Sequence, residues 1–275
     1  MEKKSRKHLI TDKATVPVSL VLMIIGIILP SAIANPVAGI FGGQETQTGV
    51  LCTGIVAMLV SFLVMWLYTQ WFKPEFEGNL GKSGMTKGLK LLIPYFALWT
   101  VYYIVDGLAG EAVFDFGRLP CWTAGFAAGV TEEVAFRGLA VTTLHRKFRS
   151  EKNIWIPGFL IGILFGLVHL LNITAGEDPV IVLLTSLFAA GAGILFGSVY
   201  TSCGNLWPVI IAHGLYDSVS FSIIEDASPT AKDVGPFSYA QIIIMFALGI
   251  FLFVQLMKKR KEASDLWDRK WKILI

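Results

Sequence analysis

The chain of 275 residues is 54% hydrophobic and only 16% charged, against roughly 45–50% apolar and 25% charged in an ordinary soluble domain, so a soluble globular protein is excluded. The net charge of +3 gives no support for nucleic-acid binding. Cys52, Cys121 and Cys203 are scattered without a CxxC pair, which argues against a disulfide framework and a cysteine metal site.

A transmembrane helix needs about 20 mostly apolar residues. Residues 14–44, 46–72, 153–176, 179–216 and 234–257 contain no Asp, Glu, Lys or Arg. Taken with the apolar stretches between them, they predict about eight spans in an all-α polytopic membrane protein: Thr15 to Ala34, Thr48 to Phe72, Leu89 to Leu108, Cys121 to Leu144, Ile154 to Ile173, Val180 to Tyr200, Leu206 to Ile224 and Tyr239 to Met257. The first is too long for a signal peptide and lacks a small-residue cleavage site, so it is expected to be retained. Asp106 and Glu111 border the third span, and Glu132, Glu133 and Arg137 interrupt the fourth. Residues 73–87 and 225–236 are expected to be loops.

Of the 23 Lys and Arg residues, 20 fall on the side shared by the N-terminus, the second and fourth loops and the C-terminus, while the other side has Arg118 and Lys232, and Arg137 lies within a span. The positive-inside rule therefore predicts that both termini are cytoplasmic. Trp71, Trp122, Trp155 and Trp207 fall at span ends, as interfacial indoles do. The basic tail carries Trp267, Trp271 and Leu274 at helical spacing and is expected to lie on an anionic membrane surface. Three regions follow: N-terminal helices over residues 1–120, a transmembrane core over 121–257 and an amphipathic cytoplasmic tail over 258–275.

Charged groups within a bilayer are costly, at least about 2.5–3.5 kcal/mol each on insertion scales, and need a partner or a task. Glu132, Glu133, Arg137, His169, His213 and Asp217 occur on three separate spans, the fourth, fifth and seventh, which are expected to meet at one buried polar site. Residues four apart share a helix face, so Glu133 and Arg137 are expected to pair, leaving Glu132 for chemistry. By the same spacing Phe165 lies with His169 and His213 with Asp217, and Phe165 is expected to shape the pocket. Gly158, Gly162 and Gly166 form a ladder that admits a close neighbour and buries His169 in protein. His8 and His145 lie in basic segments and are expected to be solvated.

A buried carboxylate can serve as general base on water while imidazoles hold the water or donate to an oxyanion. Alternatively, Glu132, His169 and His213, helped by Asp217, could bind one divalent metal such as zinc. Both readings lead to peptide hydrolysis. HExxH and paired GxGD aspartates are missing from the sequence, and no predicted span carries a GxSG serine, the match at Gly81-Lys82-Ser83-Gly84 falling in the 73–87 loop.

The ordered motifs Glu132-Glu133-x-x-x-Arg137, Phe165-x-x-x-His169 and His213-x-x-x-Asp217 resemble those of the CPBP family, which includes CAAX-processing endopeptidases and bacteriocin-processing or self-immunity proteins. The resemblance implies an intramembrane endopeptidase in which Glu132 and His169 activate water. His213 and residue 217 would stabilise the oxyanion, and Glu133 and Arg137 would hold the site together. Many relatives carry Asn where this chain has Asp217, and an ionised carboxylate cannot donate a hydrogen bond; Asp217 is instead suited to orienting His213 or to binding metal. The expected partners are the lipid bilayer and a peptide or membrane-protein substrate, and the expected location is a bacterial plasma membrane. The competing readings are a non-catalytic immunity or regulatory protein acting by binding, and a transporter, for which an inverted repeat is missing.

Overall fold

The computed structural model describes residues 13–109, 113–223 and 234–272. His8, Glu111, Leu274 and most of the 225–236 loop lie outside the described residues. The chain is an all-α polytopic membrane protein, with helices α1 (Thr15–Gly39), α2 (Gln47–Trp71), α3 (Met85–Leu91), α4 (Ile93–Ala109) and α5 (Leu119–Glu133) in its first half. A π-helical segment (Val134–Val141) and the short α6 (Thr142–Leu144) continue α5, and then come α7 (Ile156–His169), a 3-10 segment (Leu170–Ala175), α8 (Pro179–Cys203), α9 (Trp207–Phe221), α10 (Pro236–Lys258) and α11 (Arg260–Lys270).

Prolines in the first turn start α5, α7, α8, α9 and α10, where the absent N–H costs no hydrogen bond. Asp178 adds a cap to α8 by accepting from the Val180 amide at 2.8 Å. Among the described residues, five helices are long and apolar enough to cross a membrane, counting α7 with its 3-10 extension, and α3 with α4 makes a sixth across a 45° bend. The remaining two predicted spans are helical but differ in kind. The α5 segment carries the intramembrane charges, and α9 has 15 residues, about 22 Å at 1.5 Å per residue. These are the two helices that bring Glu132, Glu133 and His213 together.

Glycine sets both close helix contacts at the site. A Cβ on Gly129 of α5 would lie 2.6 Å from the Gly214 nitrogen of α9. On α7, a Cβ on Gly158 would lie 2.7 Å from the Gly197 oxygen of α8, and one on Gly162 would lie 2.5 Å from the Gly193 carbon. The predicted ladder therefore receives α8, the backbone of which approaches as closely as small residues allow.

The C-terminal segment corrects the expected surface anchor. Helix α11 docks on protein: Trp267 and Trp271 are 0% and 2% exposed, the Trp267 indole donates to Thr201 O at 2.9 Å, and the Lys270 ammonium donates to Gly78 O at 2.7 Å. The reason is an aromatic seat at this end of the bundle, where Phe76 packs 4.5 Å from Trp271, centroid to centroid. The reading of His145 as solvated is corrected too, since it is fully buried and stacks on Trp267 at 4.0 Å.

Candidate active site

Glu133 is the structural centre of the polar cluster. Its Oε1 accepts from Arg137 Nη1 at 2.8 Å and from His213 Nδ1 at 2.8 Å. The first bond realises the predicted pair, and the second ties α9 to α5. Arg137 Nη2 also donates to Gly193 O on α8 at 3.2 Å, while the Phe165 ring faces the guanidinium at 4.9 Å. Phe165 thus does more than shape a pocket, because it covers a buried cation with its π face. Both Glu133 and Arg137 are fully buried, so each needs the other's charge. The π-helical segment that carries Arg137 is buried along its whole length, a local rewinding that is common near functional sites.

The other carboxylates behave differently. Glu132, His169, His213 and Asp217 all line one cavity of about 550 Å³. The Glu132 side chain is 31% exposed and has His213 Nε2 at 3.7 Å, whereas Glu133 on the adjacent position is shut away. Asp217 Oδ2 lies 3.4 Å from the same Nε2. His169 Nδ1 donates to Phe165 O at 2.8 Å, which leaves Nε2 as the acceptor nitrogen of the neutral ring. The expectation that His169 would be sealed in protein is corrected: α7 ends at this residue, and its ring lies on the cavity wall.

Glu132 also borders a second, smaller cleft of about 280 Å³, reached past Ser31, Gln44, Thr53 and Thr131. A third, largely aromatic cavity of about 560 Å³ shares Tyr95 and Tyr216 with the first. Tyr95, Asn172, Phe196 and Tyr216 line the main cavity without having been singled out from sequence. The aromatic residues carry no signal in an apolar helix; Asn172, three residues after His169, is a polar hint within the fifth predicted span. Phe196 stacks on the His213 ring at 5.5 Å, fixing the plane in which Nε2 points.

The metal reading fits less well. Among the described residues no group of three or more His, Cys, Asp and Glu is arranged to hold a metal ion. Glu132, His169 and His213 share a cavity, and each imidazole is held through Nδ1 by another partner, with Nε2 facing the cavity side.

Fold and site together define a polytopic helical membrane protein with a carboxylate and histidine centre on the wall of an intramembrane cavity. Residues 93–219 match the family described as type II CAAX prenyl endopeptidase Rce1-like. It is the family that the three motifs resemble, and the match extends upstream of the motifs to take in α4. No curated protein and no solved structure matches the chain.

Proposed function

We propose that this protein is an intramembrane endopeptidase that hydrolyses a peptide bond of a membrane-associated peptide or protein, with Glu132 as the general base on water. The observation that carries the reading is the division of labour between adjacent carboxylates: Glu133 is consumed by Arg137 and His213, while Glu132 faces a cavity shared with both histidines. The family match to a prenyl endopeptidase supports the reaction class.

In this mechanism the Glu132 carboxylate takes a proton from water, whose oxygen attacks the scissile carbonyl carbon. His169 Nε2 accepts a hydrogen bond from that water. His213, with a proton on Nε2, donates to the developing oxyanion while Glu133 holds its other nitrogen. Collapse of the tetrahedral intermediate breaks the C–N bond, and the proton held by Glu132 passes to the leaving amine. Asp217 acts as a positioning residue for His213. The aromatic cavity beside Tyr95 and Tyr216 gives an apolar side chain or attached chain a place next to the scissile bond. The basic-loop asymmetry, with the resemblance of the three motifs to a family that includes bacteriocin-processing proteins, supports a bacterial plasma membrane as its location.

The test is cleavage of a quenched fluorogenic peptide library by detergent-purified wild type and Glu132→Ala. Cleavage by the wild type, lost in the folded variant, is expected. Equal cleavage by both removes Glu132 from the mechanism, and no cleavage by either favours a binding role. A chelator arm is expected to leave the activity intact, and loss with restoration by zinc would overturn the metal-free reading.

A further inference from the structure

The bundle has two unlike ends. At one end the chain is closed: Phe76, His145, Tyr200, Leu206 and Trp267 are each at most 1% exposed. Polar ties lock the same end, with Asn79 donating to the Tyr200 hydroxyl at 2.8 Å, Trp207 to Leu80 O at 2.9 Å and Arg149 to Asp268 at 2.8 Å. The cations collect here too, in the loops around Lys82 and Lys147 and along α11. At the other end α4, α7 and α9 finish and α5, α8 and α10 begin. An isolated bridge between Phe114 and Ile223 ties this end together. Arg118 is its cation among the described residues, and Lys232 lies outside them.

The main cavity belongs to the second end. Its wall runs from His213 and Phe196 outward to a polar rim of Asn172, Thr185, Ser220, Ser238 and Gln241, and it does not reach Tyr200. The smaller cleft on Glu132 reaches Ser31 and Gln44 beside the α1–α2 connection, at the same end. Basic loops are retained on the cytoplasmic side. We infer that the site opens to the extracytoplasmic face, and that its substrate is a peptide segment presented from outside: an exported peptide, or an outer loop or juxtamembrane stretch of a membrane protein. A cytoplasmic C-terminus would meet the closed, cationic end. What is cut rests on the endopeptidase reading, whereas the side on which the cavity opens does not.

The experiment uses the full chain in cells, with Cys52, Cys121 and Cys203 replaced by alanine and one new cysteine at a time. Thr174→Cys and Glu45→Cys mark the open end, and Ser150→Cys and Lys82→Cys mark the closed end, giving two independent positions on each. A membrane-impermeant maleimide is expected to label the first pair in intact cells and the second pair only after permeabilisation. The reverse pattern overturns the inference. In a second arm, an impermeant fluorogenic peptide is added to right-side-out and to inverted vesicles, and cleavage is expected in the right-side-out preparation. Cleavage confined to inverted vesicles overturns the inference. Cleavage in neither counts against the endopeptidase reading, while the labelling, which needs no activity, still decides the sidedness.

Discussion

Two neighbouring glutamates in one helix carry opposite burdens because adjacent residues point about 100° apart. Glu133 turns into a fully enclosed pair with Arg137, and Glu132 turns to the cavity. Removing one member of a buried pair strands the other's charge, at a cost of about 3–5 kcal/mol. Arg137→Ala is therefore expected to lower the detergent melting temperature and the membrane abundance sharply; unchanged abundance would show that Glu133 does not depend on it. The Glu133–Arg137 pair was legible from spacing alone, because both groups sit on one helix. The Glu133–His213 bond was not, since periodicity reports the faces of a helix and is silent on which residue of another helix comes opposite.

Between elements, the site depends on backbone proximity more than on side-chain fit. The contact of α5 with α9 passes through Gly129 and Gly214: a methyl on Gly129 meets the main chain of His213 and Gly214, and one on Gly214 meets the Phe126 ring. Overpacking of this kind costs typically about 1–3 kcal/mol. Gly129→Ala is expected to destabilise the folded protein by that order and to depress cleavage through displacement of His213 from Glu132. A variant with wild-type melting and activity would contradict the contact. The Gly158–Gly162–Gly166 ladder was readable in the sequence as a close-approach face, but its partner was not, because Gly193 and Gly197 sit in an α8 segment that reads simply as apolar. The π-helical segment over Val134–Val141 had no signature at all.

For the molecule as a whole, apolar stretches gave the order and class of the helices, since the bilayer leaves a chain of this composition few alternatives. Helix α11 escaped that logic. Tryptophans spaced among lysines describe a membrane-surface helix and a protein-docked helix equally well, and the aromatic seat around Phe72 and Phe76 is not apparent from the tail itself. Truncating Trp267 to alanine is expected to cost about 3–5 kcal/mol, read as a fall in melting temperature with membrane association intact. Loss of membrane association with stability unchanged would restore the anchor reading. Burial beneath Trp267 also pushes the His145 imidazole down from 6.5 to about 3. The unfolded chain takes up this proton at higher pH than the folded one, so the contribution to stability is whole above pH 6.5 and is lost as pH falls towards 3. His145→Phe should accordingly flatten the decline in melting temperature across that window, and an unchanged slope would show that His145 does not govern it.

The central claim, that Glu132 does the chemistry and Glu133 holds the frame, is tested most directly by measuring kcat and melting temperature side by side for Glu132→Gln and Glu133→Gln, in wild-type background and with one cleavable peptide. The account predicts that Glu132→Gln lowers kcat by about 10²-fold or more, the usual scale of a lost general base, with melting unchanged, and that Glu133→Gln lowers the melting temperature. Full turnover by Glu132→Gln, or unaltered stability in Glu133→Gln, would contradict it.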